Sequence, residues 1–401
     1  MIDEQRLLER VHALGQIGRD ASGDRGGALT RLAGSDADKA ARDVLVGWME
    51  SAGLTVQVDA IGNIFGGVGE FGAAPIMLGS HIDTVINAGI YDGAYGVLAA
   101  LEVVESLRRP GVVVAAFTNE EGVRYTPDMM GSLVHAGGLP LAEALAATDT
   151  DGIALGDELT RIGYAGSLPV GAIRPRAYLE LHIEQGPILE DALDQIGAVE
   201  NLQGISWQKI IIDGEANHAG TTPLAKRRDA GLAAARVVTF LRELAAASGG
   251  MTLATVGRMR FEPDAINIIP SRATMTVDLR DRDNARLVAA ESALAAFLDT
   301  LASSGIRVST ERLVRFDPVT FDADLVAMIE SAARGLNLRT RRMTSGAGHD
   351  AQMMARICPA AMIFVPSRDG ISHNPREFTA DADLIAGARV LFDVVSRLAG
   401  G

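Results

Sequence analysis

Over the first 200 residues the apolar positions switch repeatedly between a spacing of two and a spacing of 3.6. That alternation of strand and helix is what a doubly wound α/β sheet requires. Ser35 can cap a helix running to about Met49, with Gly53 just past its end. Strand-like runs follow at 55–65 and 76–82, then a helix at 94–107, the most apolar strand at 112–117 and a further strand at 178–185. From residue 205 the order changes to strand (205–213), helix (225–246), two strands (253–261 and 268–279), helix (285–301) and strand (307–314). This βαββαβ series is the split pattern of a ferredoxin-like domain. After Asp317 and Pro318 the first pattern returns, as helices at 323–336 and 350–356, a strand at 361–365 and a final helix at 384–398. The simplest architecture is one α/β domain, residues 1–204 with 318–401, interrupted by a smaller one at 205–317.

A chain of 401 residues is long enough for two such cores. Its 51 acidic and 37 basic side chains give a net charge of −14 with no basic run, which argues against nucleic acid or an anionic membrane as partner. The single cysteine, Cys358, excludes an internal disulfide framework and a cysteine-based zinc site. No apolar stretch approaches 18 residues, and the N-terminus is acidic and amphipathic, unlike a signal peptide. A cytoplasmic protein is the expectation.

Five of the seven histidines lie in short polar clusters at strand ends or in loops. GSHIDT (79–84) ends a strand and is followed by Asp92 ahead of a helix; there Asp83 can hydrogen-bond the His81 imidazole from behind. Glu120 and Glu121 follow the most apolar strand, and in extended chain their carboxylates point to opposite sides. In LELHIEQGP (179–187) one strand face carries Leu179, Leu181 and Ile183 and the other Glu180, His182 and Glu184; the plain alternative is an edge strand with a wet face. His218, His349 and His373 sit in NHAGTTP, SGAGHDA and PSRDGISHNPREF. Acids and histidines gathered at strand ends fit a pair of divalent ions held by N and O ligands, with zinc the default and manganese, cobalt or nickel able to substitute. The G-x-G-x-x-G match from Gly67 to Gly72 is followed by a strand and not the helix a dinucleotide site needs, so it reads as a turn. His12 and His135 have no polar company.

The order of these clusters matters more than any one of them. With YDGAYG, TNEEGVRY, GRMRFEPDAINIIPS and VDLRDRD they span residues 79 to 378, and the series resembles the M20 metallopeptidase-related amidohydrolases, in particular the hydantoinase/carbamoylase branch. The resemblance implies a metallopeptidase-type catalytic domain whose inserted domain is a lid and a homodimer surface. It implies that His81, Asp92 and His182 hold one metal ion and Asp92, Glu121 and His373 a second, with Glu120 as general base and Asp83 supporting the site. His218, usually from the partner subunit in the family, would stabilise the oxyanion, and Gln185, Asn267 and Arg280 would bind the substrate, Arg280 through its carboxylate. For Arg280 the residues alone also allow a salt bridge with Asp278 or Asp281. The implied reaction is hydrolysis of an N-carbamoyl-L-amino acid to the amino acid, carbon dioxide and ammonia. Alternatives are allantoate or N-carbamoyl-β-alanine as substrate, an N-acyl-amino acid hydrolase or dipeptidase, or a binding protein that kept only the fold.

Overall fold

In the computed structural model, which describes residues 1–20, 27–302 and 305–400, the chain divides into two compact units, 1–200 with 320–401 and 201–319. The larger is built on a nine-stranded mixed sheet. At its centre are β1 (Ile76–His81), β2 (Val112–Phe117), β3 (Ala177–Ile183) and β4 (Ala360–Val365), in the order β2-β1-β3-β4, every pair parallel. All residues of these four strands are buried, as expected where helices cover both faces of parallel strands. Antiparallel strands flank the centre, Thr55–Val58 and Ile64–Gly67 beyond β2 and Ile196–Leu202 beyond β4.

The helix α1 (Ala94–Leu107) connects β1 to β2 and is buried on all sides from Ala94 to Val104, which is why that stretch is apolar all round except for Glu102, whose carboxylate takes the Arg6 guanidinium. From β1 the chain moves one way to β2, and β3 lies on the opposite side of β1. The carboxyl end of β1 is therefore a topological switch point, where open α/β sheets form their ligand crevice.

Several elements differ from expectation. Residues 55–65 form a hairpin, because Asp59 accepts the backbone N–H groups of Ile61 and Asn63 and turns the chain. Strands at Ile196–Leu202 and Thr340–Ser345 lacked the long apolar runs that reveal the centre. The strand carrying Glu180, His182 and Glu184 is no wet edge but the buried β3. The G-x-G-x-x-G stretch, by contrast, is the turn expected of it, with Gly69 and Gly72 at positive φ.

The unit 201–319 has an antiparallel four-stranded sheet of Gly204–Asp213, Leu253–Glu262, Arg272–Asp281 and Arg307–Phe316, numbered one to four along the chain and ordered 4-1-3-2. Helices Ala230–Ala247 and Asn284–Ala302 bury their apolar stripes on one face against residues such as Ile210, Met275 and Leu279. The first helix starts five residues later than its apolar pattern suggests, capped by Asp229 after a 3₁₀ turn at Leu224–Lys226. Pro270 separates the short strand Ile268–Ile269 from Arg272–Asp281. No helix among the described residues is long and apolar enough to cross a membrane.

Candidate metal centre

Each parallel strand delivers its polar residues at its carboxyl end. His81 is the last residue of β1, and Asp92 lies in the loop from β1 to α1. Glu120 and Glu121 follow β2, His182 is near the end of β3, and His373 is in the segment after β4. Two groups of donor atoms result, each within 4.8 Å: His81, Asp92 and His182, and Asp92, Glu121 and His373. Asp92 belongs to both. Its Oδ1 lies 3.2 Å from His182 Nε2 and 3.7 Å from His81 Nε2, and its Oδ2 is 3.2 Å from His373 Nε2. Glu121 Oε2 is 3.5 Å from His373 Nε2, and Glu120 Oε2 is 3.4 Å from His81 Nε2.

The backbone fixes which nitrogens carry the proton. His81 Nδ1 donates to the Asp83 carbonyl at 3.0 Å and His182 Nδ1 to the Ile183 carbonyl at 2.9 Å. Both Nε2 atoms thereby lie towards Asp92, that of His182 also accepting the Gly93 backbone N–H at 3.1 Å, and an N–H on the far side of the ring is what orients a metal-binding imidazole. The expected bond from the Asp83 carboxylate to His81 is absent, with 3.8 Å between Asp83 Oδ1 and His81 Nδ1. That carboxylate accepts the N–H groups of Glu120 and Glu121 at 3.2 and 3.3 Å, so Asp83 ties the end of β1 to the end of β2.

Gly93 caps the start of α1 at φ +64, and a Cβ there would overlap the His81 imidazole, so only glycine suits both the backbone and the close approach.

Electrostatics argue for cations. Among the described residues the ion-pair partners of Asp92, Glu120 and Glu121 are histidines. Burial, with Asp350, Glu121, Asp83 and Asp92 close by, holds the Glu120 pKa well above the usual carboxylate range, and burial and Asp92 do the same to Glu121. Burial lowers the His81 imidazole to about 4, keeping it neutral and able to donate its lone pair. Asp92 raises the pKa of His182 and His373 against the effect of burial, so these rings favour positive charge beside it. Carboxylates crowded in a buried cleft are costly without positive charge, and this donor set of N and O atoms suits a pair of divalent ions.

A third grouping, Glu180, His182 and His349, fits a metal poorly. Glu180 is saturated by Ser80, Tyr178 and the N–H of Ala351, and the His182 lone pair faces Asp92. Glu184 is no ligand either; it accepts the N–H groups of Ile188 and Leu189 and caps the short helix Ile188–Ala192.

Gln185, at φ +58, turns its amide onto Asp92 Oδ2 at 2.8 Å. Three residues not assigned from the sequence also stand here. The His349 ring packs on His182 with centroids 4.5 Å apart, and Ser372 and Glu377 hold Asp92 from behind. All three lie within motifs already picked out, but a polar residue in a loop carries no mark of what it touches.

His218, Asn267 and Arg280 belong to the unit 201–319. His218 and Ile268 pair across a two-stranded ladder, so Asn267 lies beside His218 in space, both exposed. His218 Nδ1 accepts the N–H groups of Gly220 and Thr221, which places the proton on Nε2. Arg280 donates from Nε and Nη2 to Asp278, one of the two salt bridges that the sequence allowed for it.

Fold and site together define a metallopeptidase-type α/β protein, and the sequence pattern of Peptidase family M20/M25/M40 matches residues 77–397, so the chain belongs to that family. It is 40% identical to N-carbamoyl-L-amino acid amidohydrolase of Geobacillus stearothermophilus, with 100% of both chains covered. With allantoate amidohydrolase of Bacillus subtilis (strain 168) it shares 33% identity over 98% of this chain and 97% of the other. A solved amidase of the hydantoinase/carbamoylase family from Burkholderia vietnamiensis superposes with a TM-score of 0.88 at 42% identity, covering 99% of this chain and 97% of that one.

Proposed function

We propose that this chain is a two-metal amidohydrolase that cleaves the linear C–N bond of an N-carbamoyl-L-amino acid, giving the amino acid, carbon dioxide and ammonia. The observation that carries this reading is the pair of donor groups sharing Asp92, with the Glu120 carboxylate 3.4 Å from one of their histidines. His81, Asp92 and His182 hold one ion and Asp92, Glu121 and His373 the other, with zinc, manganese, cobalt or nickel all suited to such ligands. When bound, the ions acidify water and polarise a carbonyl oxygen.

The chain's own residues do the rest. Glu120, buried with the His81 imidazole 3.4 Å away, takes the proton of the attacking water and returns it to the leaving nitrogen. Asp83 holds the backbone of Glu120 in place. His218, with its proton fixed on Nε2, is suited to donate to the oxyanion, and Asn267 and Arg280 to bind the substrate, Arg280 exchanging Asp278 for a carboxylate. The inserted unit serves in this reading as lid and homodimer surface, with His218 acting in its own or a partner chain.

Relatives named N-carbamoyl-L-amino acid amidohydrolase support this substrate, and the allantoate amidohydrolase of Bacillus subtilis supports allantoate as the second reading. The test is Glu120→Gln, which keeps size and hydrogen bonding but cannot take a proton. We expect full metal content and turnover at least about a hundredfold lower, the usual size of a general-base effect. Near-normal turnover would remove Glu120 from the mechanism.

A further inference from the structure

Asp92 is the one residue common to both donor groups, so its orientation decides whether two ions can bind together. Its Oδ2 is crowded. Gln185 Nε2 lies at 2.8 Å and Ser372 Oγ at 3.1 Å, on the side that faces His373. A carboxylate oxygen offers about two lone pairs, too few for two hydrogen bonds and a cation.

Ser372 has a second acceptor, Glu377 Oε2 at 2.9 Å, and a hydroxyl has only one proton to give. Glu377 Oε1 meanwhile accepts the backbone N–H groups of Tyr91 and Asp92 at 2.9 and 3.3 Å. Glu377 is 6% exposed, and Gly89 lacks the Cβ that would collide with its carboxylate.

We propose that Glu377, acting through Ser372, is a positioning residue that keeps one lone pair of Asp92 Oδ2 open for a cation. With the Ser372 proton on Glu377, a ring closes in which each proton is used once. Asp92 N–H goes to Glu377 Oε1 and the Ser372 hydroxyl to Glu377 Oε2. One Gln185 N–H goes to Ser372 Oγ, 3.3 Å away, and the other to Asp92 Oδ2. Gln185 thus serves the carboxylate that both ions share. The proposal rests on the two-metal reading above.

In Glu377→Gln the amide oxygen stays with the two backbone N–H groups, and the NH₂ group faces Ser372. The hydroxyl proton then has only Asp92 Oδ2 to go to, where it competes with the ion. The test titrates Zn²⁺ into metal-free full-length chain against a chromophoric chelator and resolves the two equivalents. Glu377→Gln is expected to bind one equivalent about 10–100-fold more weakly, the usual cost of losing a group that orients a ligand, with the other equivalent little changed. Excess Zn²⁺ restores its turnover towards wild type, which a merely structural defect would not allow.

Ser372→Ala removes the oxygen that takes one Gln185 N–H and aims that amide at Asp92 Oδ2, so the same equivalent weakens about tenfold. The double variant binds no more weakly than Ser372→Ala alone, because the misplaced proton is gone. Unchanged binding by Glu377→Gln, or losses that add in the double variant, would overturn the proposal. Should Glu377→Gln fail to fold, Ser372→Ala decides alone, with wild-type affinity counting against the ring. A wild-type chain that binds fewer than two equivalents contradicts the two-metal reading itself.

Discussion

His135 shows how differently one side-chain type can be used in a single chain. Its ring packs against Phe65 and Phe117, and Nε2 donates to the Ile173 carbonyl at 2.9 Å. Burial lowers its pKa to about 4, against the ordinary 6.5 that an unfolded chain retains. Between those values the unfolded chain takes up a proton that the folded one refuses, so stability falls as the pH is lowered from 6.5 to 4, by up to about 3 kcal/mol. His135→Gln keeps the N–H donor without the titration. Its urea midpoint should fall less steeply over that window than wild type, and parallel curves would show that the proton goes elsewhere. From the sequence alone His135 could be set aside only because it stood without polar neighbours. Asp92 and His373 were legible because each stands in a distinctive motif. Glu377 and Ser372 were not, since their work lies in contacts with Asp92, more than 270 residues away in sequence.

At the scale of elements, the parallel centre was readable because fully buried strands leave continuous apolar runs, as in Val112–Phe117. The antiparallel margins were not: Thr340–Ser345 reads as a polar segment, and the turn at Asp59 is set by side-chain hydrogen bonds inside an otherwise strand-like run. Asp83 joins two of the central strands through the N–H groups of Glu120 and Glu121, a role that spacing along the chain does not reveal. Asp83→Ala strands one buried and one partly buried donor, the buried one costing about 1–3 kcal/mol. A urea midpoint lowered by at least about 2 kcal/mol of stability, with turnover reduced alongside, is the expected result. Wild-type stability would mean that water replaces the carboxylate.

For the whole molecule, the interruption of one domain by another was legible because the strand–helix order changes near residue 205 and returns after Pro318; the contact boundaries fall at 200 and 320. Substrate choice is less legible, since the proposed ligand set and the proposed general base Glu120 would serve ureido and acyl substrates alike. The measurement that tests the central claim most directly is therefore ammonia release from a panel of ureido acids. It comprises N-carbamoyl-L- and D-amino acids, N-carbamoyl-β-alanine and allantoate, each with metal-loaded enzyme and again after a chelator. The account predicts ammonia from the N-carbamoyl-L-amino acids, abolished by the chelator and regained when divalent metal is restored. Silence across the panel from a chain carrying both metal ions would contradict it and direct attention to N-acyl or dipeptide bonds, whose cleavage releases no ammonia.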